Sequence, residues 1–314
     1  MRLNYLLATA AASMLPLLAI AGPLAYVPNE KSGTLSVIDT DTDEVVAEIP
    51  AGEKPRGLTA SKDGKTLYVS DQPHNALVII DVESRQRSGT IELGESPEGV
   101  SRSPDGKWIV AASEISNSVN FIDATTGKKM FAVKTRGQNP EHAVFSPDGK
   151  LIFVSAEEAD SVDVIDVRRR KQIASIKVGA RPRGIAFTPD GRLAYVACEI
   201  ASTVYAIDVA KLKVVKPIKA GTFSNGVAVT PDGRRVFVSN GKDGTVSAIE
   251  TATQSVIATI PVGKRPWNMA ITPDGKKLYV ANGRSHSVSV IDAVELKPLT
   301  EVQVGELPWG VLIQ

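Results

Sequence analysis

Apolar and polar positions alternate with a period of two along nearly the whole chain, in short runs rich in Val, Ile, Tyr and Phe. That period and those side chains fit pleated strands, and no window sustains the i, i+3, i+4, i+7 apolar spacing of a helix. The stretch Leu193 to Arg234 displays the unit as LAYVAC, STVYAID and LKVVKPIKAG, followed by NGVAVTPDG. It reads as four strands. The turns carry their own chemistry. In Thr188-Pro189-Asp190-Gly191 the proline presets φ, the aspartate bonds to nearby backbone and the glycine accepts φ > 0, which predicts a type I turn with a bulge. The Asp-x-x-Thr pieces at Asp39 to Thr42 and Asp123 to Thr126 predict a second, looser hairpin turn.

The pattern repeats almost end to end. Asp39, Asp81, Asp123, Asp166, Asp208, Glu250 and Asp292 close the same apolar run at spacings of 42, 42, 43, 42, 42 and 42. An Asp-Gly pair recurs in register at Asp63, Asp105, Asp148, Asp190, Asp232 and Asp274. Four antiparallel strands per ~40–45 residues, repeated radially, define a β-propeller blade. Six full units and two complementary end fragments predict an all-β, seven-bladed β-propeller. AYVPN, TLSVID and VVAEIP supply the second to fourth strands of one blade, and PWGVLIQ supplies only a first strand. Pairing the C-terminal strand with the three N-terminal strands, so that Val311 joins the sheet containing Tyr26, would close the ring and cover exposed edges.

Residues 1–21 stand outside the repeat. MRLNY, an apolar run and Ala19-Ile20-Ala21 before Gly22 match a secretory signal peptide; the run is short and contains Pro16, which argues against a membrane span. A periplasmic, soluble propeller over 22–314, with no membrane span after cleavage and most simply a monomer, is the expectation. The single Cys198 cannot form an internal disulfide and falls in a strand, where a small buried hydrophobe is expected. No C-x-x-C-H haem attachment sequence is present. Acidic residues number 35, and basic residues number 36 including Arg2 of the leader, a balance that argues against nucleic acid as the main partner.

What recurs in every unit is scaffold, so departures from the repeat mark candidates for function. The two acidic anchors and the Gly-x-x-Pro links (such as Gly52 to Pro55 and Gly179 to Pro182) are turn and connection chemistry. Residues just after that Pro, and just after the second strand, should meet at one mouth of the central channel. The first set is Arg56, Glu98, Glu141, Arg183, Asn225, Trp267 and Trp309; the second is Gln72, Glu114, Glu157, Glu199, Gly241, Gly283 and Glu30. An acidic sector therefore faces an aromatic one, where Gly241 and Gly283 leave room. The one 43-residue spacing puts an extra residue in Arg136 to Pro140, and His142 stands where five other units have Gly. A ligand or partner is expected here, with Trp267 and Trp309 as apolar walls. Glu98, Glu141, His142, Glu157 and Arg183 are its polar groups, with Arg56, Glu114 and Glu199 beside them. The plainer alternatives are a solvated acidic surface, tryptophans that merely plug the channel, and an ordinary surface histidine. His74 and His286 fall in variable outer loops and carry no assignment.

The second strands read YVPN, YVSD, FVSA, YVAC, FVSN and YVAN, and the third strands LSVIDT, VDVIDV and VSVIDA. With the x-Pro-Asp-Gly-Lys/Arg turns, the sequence resembles the YVTN-type β-propeller repeat family. Its seven-repeat form with a leader is similar to periplasmic propellers associated with pyrroloquinoline-quinone-dependent (PQQ-dependent) alcohol catabolism. The resemblance implies a non-catalytic binding or accessory role beside a quinoprotein dehydrogenase or a c-type cytochrome, with no cofactor and no catalytic residue of its own. Other propellers of similar repeat type imply alternatives: a lactone hydrolase like 6-phosphogluconolactonase, in which Glu141, His142 and Arg183 would polarise water and an ester carbonyl, a quinone carrier using Trp267, or a binder of single-stranded nucleic acid. No G-x-S-x-G motif and no metal-ligand spacing supports an enzyme.

Overall fold

A computed structural model describes residues 22–314. The expected leader, residues 1–21, lies outside the described residues. Seven four-stranded antiparallel sheets form a seven-bladed propeller. Blade 1 joins β1 (Leu24–Asn29), β2 (Thr34–Asp39) and β3 (Glu44–Pro50) to the final strand, Leu312–Ile313. Blade 2 follows as β4 (Pro55–Ala60), β5 (Thr66–Asp71), β6 (Ala76–Asp81) and β7 (Gln86–Glu92). Blades 3 to 7 repeat this order within 97–134, 140–177, 182–219, 224–261 and 266–303.

Closure follows the expected route, with ladder pairing from Leu312, one residue after the Val311 expected in that sheet. Tyr26 pairs with Leu312 and Ala25 with Ile313, while Val311 lies just before the strand. Backbone bonds between Leu24 and Gln314 (2.7 and 3.0 Å) and from Trp309 N–H to the Pro28 carbonyl (2.9 Å) zip the ends together. In blades 3 to 7 the first two strands are joined by the x-Pro-Asp-Gly turn (blade 2 has Lys62 in place of the Pro): Thr188 Oγ1 donates to Asp190 Oδ1 (2.6 Å), Gly191 N–H donates to the Thr188 carbonyl (2.8 Å), and Gly191 sits at φ +69°. The looser turn also forms, with Asp123 Oδ1 accepting from the N–H groups of Thr125 and Thr126 (3.0 and 2.7 Å). Every outermost strand bulges at the same register position, which strengthens its twist.

The core lies between blades. The second strands are buried on both faces, and position three of each presents Tyr26, Tyr68, Val110, Phe153, Tyr195, Phe237 or Tyr279, all nearly solvent-free. Tyr26, for instance, packs in one cluster with Leu67, Val69 and Val78 of the neighbouring blade. Each such side chain is worth about 1.5–3 kcal/mol of burial, so the ring is held by its inter-blade seams as much as by hydrogen bonds. Cys198 is fully buried in this core, and burial pushes its thiol up to about 12, which keeps it a packing residue. Among the described residues there is no α-helix, only the short 3₁₀ turn Glu157–Ala159, and no helix able to cross a membrane.

Candidate functional site

The innermost strands begin at the recurring Pro, so the residue that follows projects over the channel; the second strand returns to the same rim and delivers its last turn there. A cavity of about 300 Å³ at this mouth is lined by Glu30, Arg56, Gln72, Glu114, Glu141, Arg183, Asn225, Trp267 and Trp309, together with Arg181, Arg265 and Asn268. The largest groove, of about 1080 Å³, lies elsewhere, between the outer turns of blades 4 and 5. It is built on scaffold turns (Asp148, Gly149, Gly191) and recurs in smaller form between blades 5 and 6, so it is a feature of the repeat.

The acidic sector is not solvated surface. Glu98, Glu141, Glu157 and Glu199 are 0, 5, 6 and 3 % exposed. Arg183 is their hub: Nη1 meets Glu141 at 2.7 Å and also contacts Glu157, and Nε meets Glu199 at 3.1 Å. Arg181 Nε lies 3.3 Å from both Glu157 and Glu199, and Arg265 reaches across from blade 7 to Glu199. On the other flank Arg56 joins Glu98 to Glu30, 3.2 Å away. Gln72 Nε2 donates to Glu98 Oε1 (2.7 Å) and Ser96 Oγ (2.9 Å), and Ser96 Oγ donates to Glu114 (3.0 Å).

Six carboxylates (Glu30, Glu98, Glu114, Glu141, Glu157, Glu199) thus share four guanidinium groups (Arg56, Arg181, Arg183, Arg265), a surplus of two negative charges. The structure shows where the surplus goes. Burial, then the charge of Glu141, push Glu157 up to about 8. The same two causes raise Glu98 well above the carboxylate range. Burial also acts on Glu141, but Arg183, His142 and Arg56 outweigh it and hold that group below its ordinary value. Glu157 and Glu98 are thereby disposed to hold protons, which eases the excess of negative charge in the cluster. One oxygen each of Glu98, Glu114 and Glu141 lie within 4.8 Å of one another, a spacing compatible with a metal ion, but Arg56 and Arg183 already supply the positive charge that a cation would bring.

The opposite sector works by omission. A Cβ on Gly283 would stand 2.7 Å from the Trp267 ring, and one on Gly241 would stand 2.6 Å from Arg265 Nη1. These two glycines let Trp267 and Arg265 lie across positions that other blades fill with Glu or Gln. Trp309 is 9 % exposed and meets the His142 ring across the channel at 5.3 Å between centroids. It plugs the channel floor, while Trp267, half-buried, remains a wall of the cavity. His142 therefore sits below the mouth, its Nε2 buried without a partner and its basicity lowered by burial.

A family model for the lactonase seven-bladed β-propellers matches residues 142–306, over half of the chain. The chain belongs to this lactonase family. A second model, for YNCE-like β-propellers, matches residues 21–103. No curated protein matches the sequence. Among solved structures, a chain of Kuenenia stuttgartiensis hydrazine synthase is 25% identical with a TM-score of 0.74, covering 82% of this chain and 88% of that one. A Bacteroides fragilis protein provisionally assigned as a 6-phosphogluconolactonase is 21% identical with a TM-score of 0.80, covering 95% and 99%. A functionally unknown protein from Desulfotomaculum acetoxidans is 18% identical with a TM-score of 0.80, covering 92% and 98%. These last two show the fold.

In this lactonase-family propeller the lining of the mouth includes Arg56, Glu114, Glu141, Arg183, Trp267 and Trp309, while Glu98, Glu157 and Glu199 stand behind as buried partners. Sequence reasoning missed Arg181, Arg265 and Ser96, and marked Asn268 only as a second exception to the recurring Gly. Arg181, Arg265 and Ser96 sit in the link just before the recurring Pro, a place treated as connection chemistry. The available signal was composition: Lys54, Ser96, Asn139, Phe223 and Leu307 occupy that place in other units, and only blades 5 and 7 put arginine there.

Proposed function

We propose that the channel mouth binds an uncharged lactone and opens its ring by hydrolysis. The observation that carries this reading is the juxtaposition of Glu141, held below its ordinary pKa by Arg183, His142 and Arg56 against burial, and Arg183 on one small cavity. Because the charged groups around it already pair with one another, the cavity can receive a neutral ligand without stranding a buried charge. Glu141 takes a proton from water as the water oxygen attacks the lactone carbonyl carbon. Arg183, which lines the cavity beside Glu141, stabilises the oxyanion. The ring C–O bond then breaks, and the proton held by Glu141 passes to the departing alkoxide to give a hydroxy acid. The product carboxylate places a second negative charge beside Glu141, which favours its release. The half-buried Trp267 ring supplies an apolar wall for the lactone ring.

Turnover of an uncharged lactone panel tests the reading. Glu141→Gln keeps the shape of the network and should lower kcat about 10²–10⁴-fold, with little change in KM; no turnover by the native chain, or none lost in the variant, would refute it. A second reading is favoured by Ile115 and Ile200, 65 and 60 % exposed on turns of the mouth face. It makes the chain a non-catalytic accessory protein in the periplasm, docking there with a quinoprotein dehydrogenase or c-type cytochrome of PQQ-dependent alcohol oxidation. Secretion with cleavage before Gly22 belongs to that reading, and N-terminal sequencing of the mature protein checks it.

A further inference from the structure

Outside the mouth, on the same face, a groove of about 640 Å³ runs over blades 5 to 7. Five cations line it, Arg181, Lys242, Lys264, Arg265 and Arg284, against only two carboxylates, Glu199 and Asp243. Arg181 and Arg265 are shared with the glutamates of the mouth. Lys242, Lys264 and Arg284 are exposed and, among the described residues, make no ion pair. Three such cations, against the single exposed carboxylate Asp243, leave a net positive potential around the groove.

The cations are set by backbone rather than by chance side-chain reach. Gly241 and Lys242 donate to the carbonyls of Phe223 (2.8 Å) and Thr222 (3.2 Å). Gly283 and Arg284 donate likewise to the carbonyls of Arg265 (3.0 Å) and Lys264 (3.1 Å). Lys242 and Arg284 are therefore fixed at equivalent points of adjacent blades, with Lys264 and Arg265 between them. The repeat puts Lys31, Pro73, Ile115, Glu158 and Ile200 at the same point in the other blades, so two neighbouring cations belong to this sector alone among blades 2 to 7. Phe223, where the link also loses its Pro, forms the apolar floor, with Lys242 Nζ and the Arg265 guanidinium each 5.7 Å from its ring centroid.

We infer that this groove is a binding site for the oxyanion group of a small molecule, a carboxylate or a phosphate, distinct from the uncharged-ligand cavity of the mouth. Lys242, Lys264 and Arg284 donate to its oxygens, with Arg265 as the inner guanidinium and Phe223 beneath. The inference stands whether or not the mouth hydrolyses lactones, because its three free cations take no part in that network.

Isothermal titration of the full mature chain with inorganic phosphate and, separately, with acetate, at low and constant ionic strength, tests it. Saturable binding of one anion per chain is expected, and the tighter of the two names the oxyanion class. The double variant Lys242→Gln/Arg284→Gln, both sites exposed, should weaken binding at least tenfold while leaving the melting temperature in place. Lys128→Gln/Lys129→Gln on an outer strand should leave binding unchanged. Lactone turnover followed in the same variants separates the two readings, since the mouth is intact in both. No saturable binding of either anion, equal competition by chloride, or binding that survives the groove variant would overturn the inference.

Discussion

The two halves of the mouth use the same backbone positions in opposite ways. In blades 3 to 5 the positions just after the second strand are filled with Glu114, Glu157 and Glu199, which arginines and Ser96 tie with Glu98 and Glu141 into one network. In blades 6 and 7 they are emptied to glycine, and neighbouring long side chains lie across the vacated space. The first half is densely ion-paired; the second is more open, toward a positively charged rim. A symmetric scaffold thus acquires a polarised site without any change in blade geometry, because the residue at each equivalent point decides what occupies the axis.

Removing the hub of the filled half should have the largest effect. Arg183→Ala leaves Glu141, Glu157 and Glu199 facing one another in a site with little access to water. Breaking a buried ionic cluster in this way costs about 3–5 kcal/mol, readable as a lowered urea midpoint. If Arg183→Ala cost no more than a surface substitution, the filled half would not be the locked structure described.

The second effect is a pH dependence confined to that half. Glu157 titrates near 8 in the folded chain, raised from its ordinary value, so the folded state holds a proton that the unfolded state gives up. The stabilisation is complete below the ordinary carboxylate pKa and is lost as pH rises toward 8. At about 1.4 kcal/mol per unit of pKa difference, the loss is of order a few kcal/mol. Glu157→Gln should flatten the decline between pH 5 and 8. The turn aspartates have the opposite sign: Asp190, lowered to about 2 chiefly by the Thr188 hydroxyl, contributes above its ordinary pKa, and that contribution fades on acidification. A stability curve flat from pH 5 to 8 in the native chain would contradict the neutral acid assigned to Glu157.

The ring, the seven blades and the closing strand were legible because they rest on local signals repeated from blade to blade: alternation, six Asp-Gly turns and an acidic residue closing each third strand. Pairing of the last strand begins at Leu312 rather than Val311 because that strand keeps only two paired residues, too short a run for its alternation to mark where the ladder starts. Glu98 and Trp267 could be placed on the rim by counting, but their burial could not, since it depends on arginines supplied by other blades. Arg265 reaches Glu199 across 66 residues of sequence, and no pattern within one repeat encodes that contact. Trp309 and His142 failed to separate for a similar reason: their contact spans the channel.

A smaller change should perturb the emptied half alone. Gly283→Ala places a methyl group 2.7 Å from the Trp267 ring, so the indole must move. Overpacking of this kind costs about 1–3 kcal/mol, less than the loss of Arg183. Displacement of Trp267 should shift the intrinsic fluorescence, and lactone KM should rise with kcat nearly kept, because the acid–base side is untouched. A fall in kcat at constant KM would instead mean that the two halves are mechanically coupled.

The smallest effect on stability should come from the rim. Ile115 and Ile200 project from turns whose backbone bonds are made by neighbouring residues: Glu114 N–H to the Ser96 carbonyl (2.8 Å) and Glu199 N–H to the Arg181 carbonyl (2.8 Å). Neither side chain is needed to hold its turn, so Ile115→Ser/Ile200→Ser should change stability by no more than about 0.5 kcal/mol per site. The variant also leaves Glu141, Arg183 and the basic groove intact, so lactone turnover and anion binding should persist. Co-purification with a periplasmic partner is the one property it should remove. If that co-purification survived the double change, the partner would have to be held elsewhere, and the exposed isoleucines would no longer favour the accessory reading over the hydrolytic one.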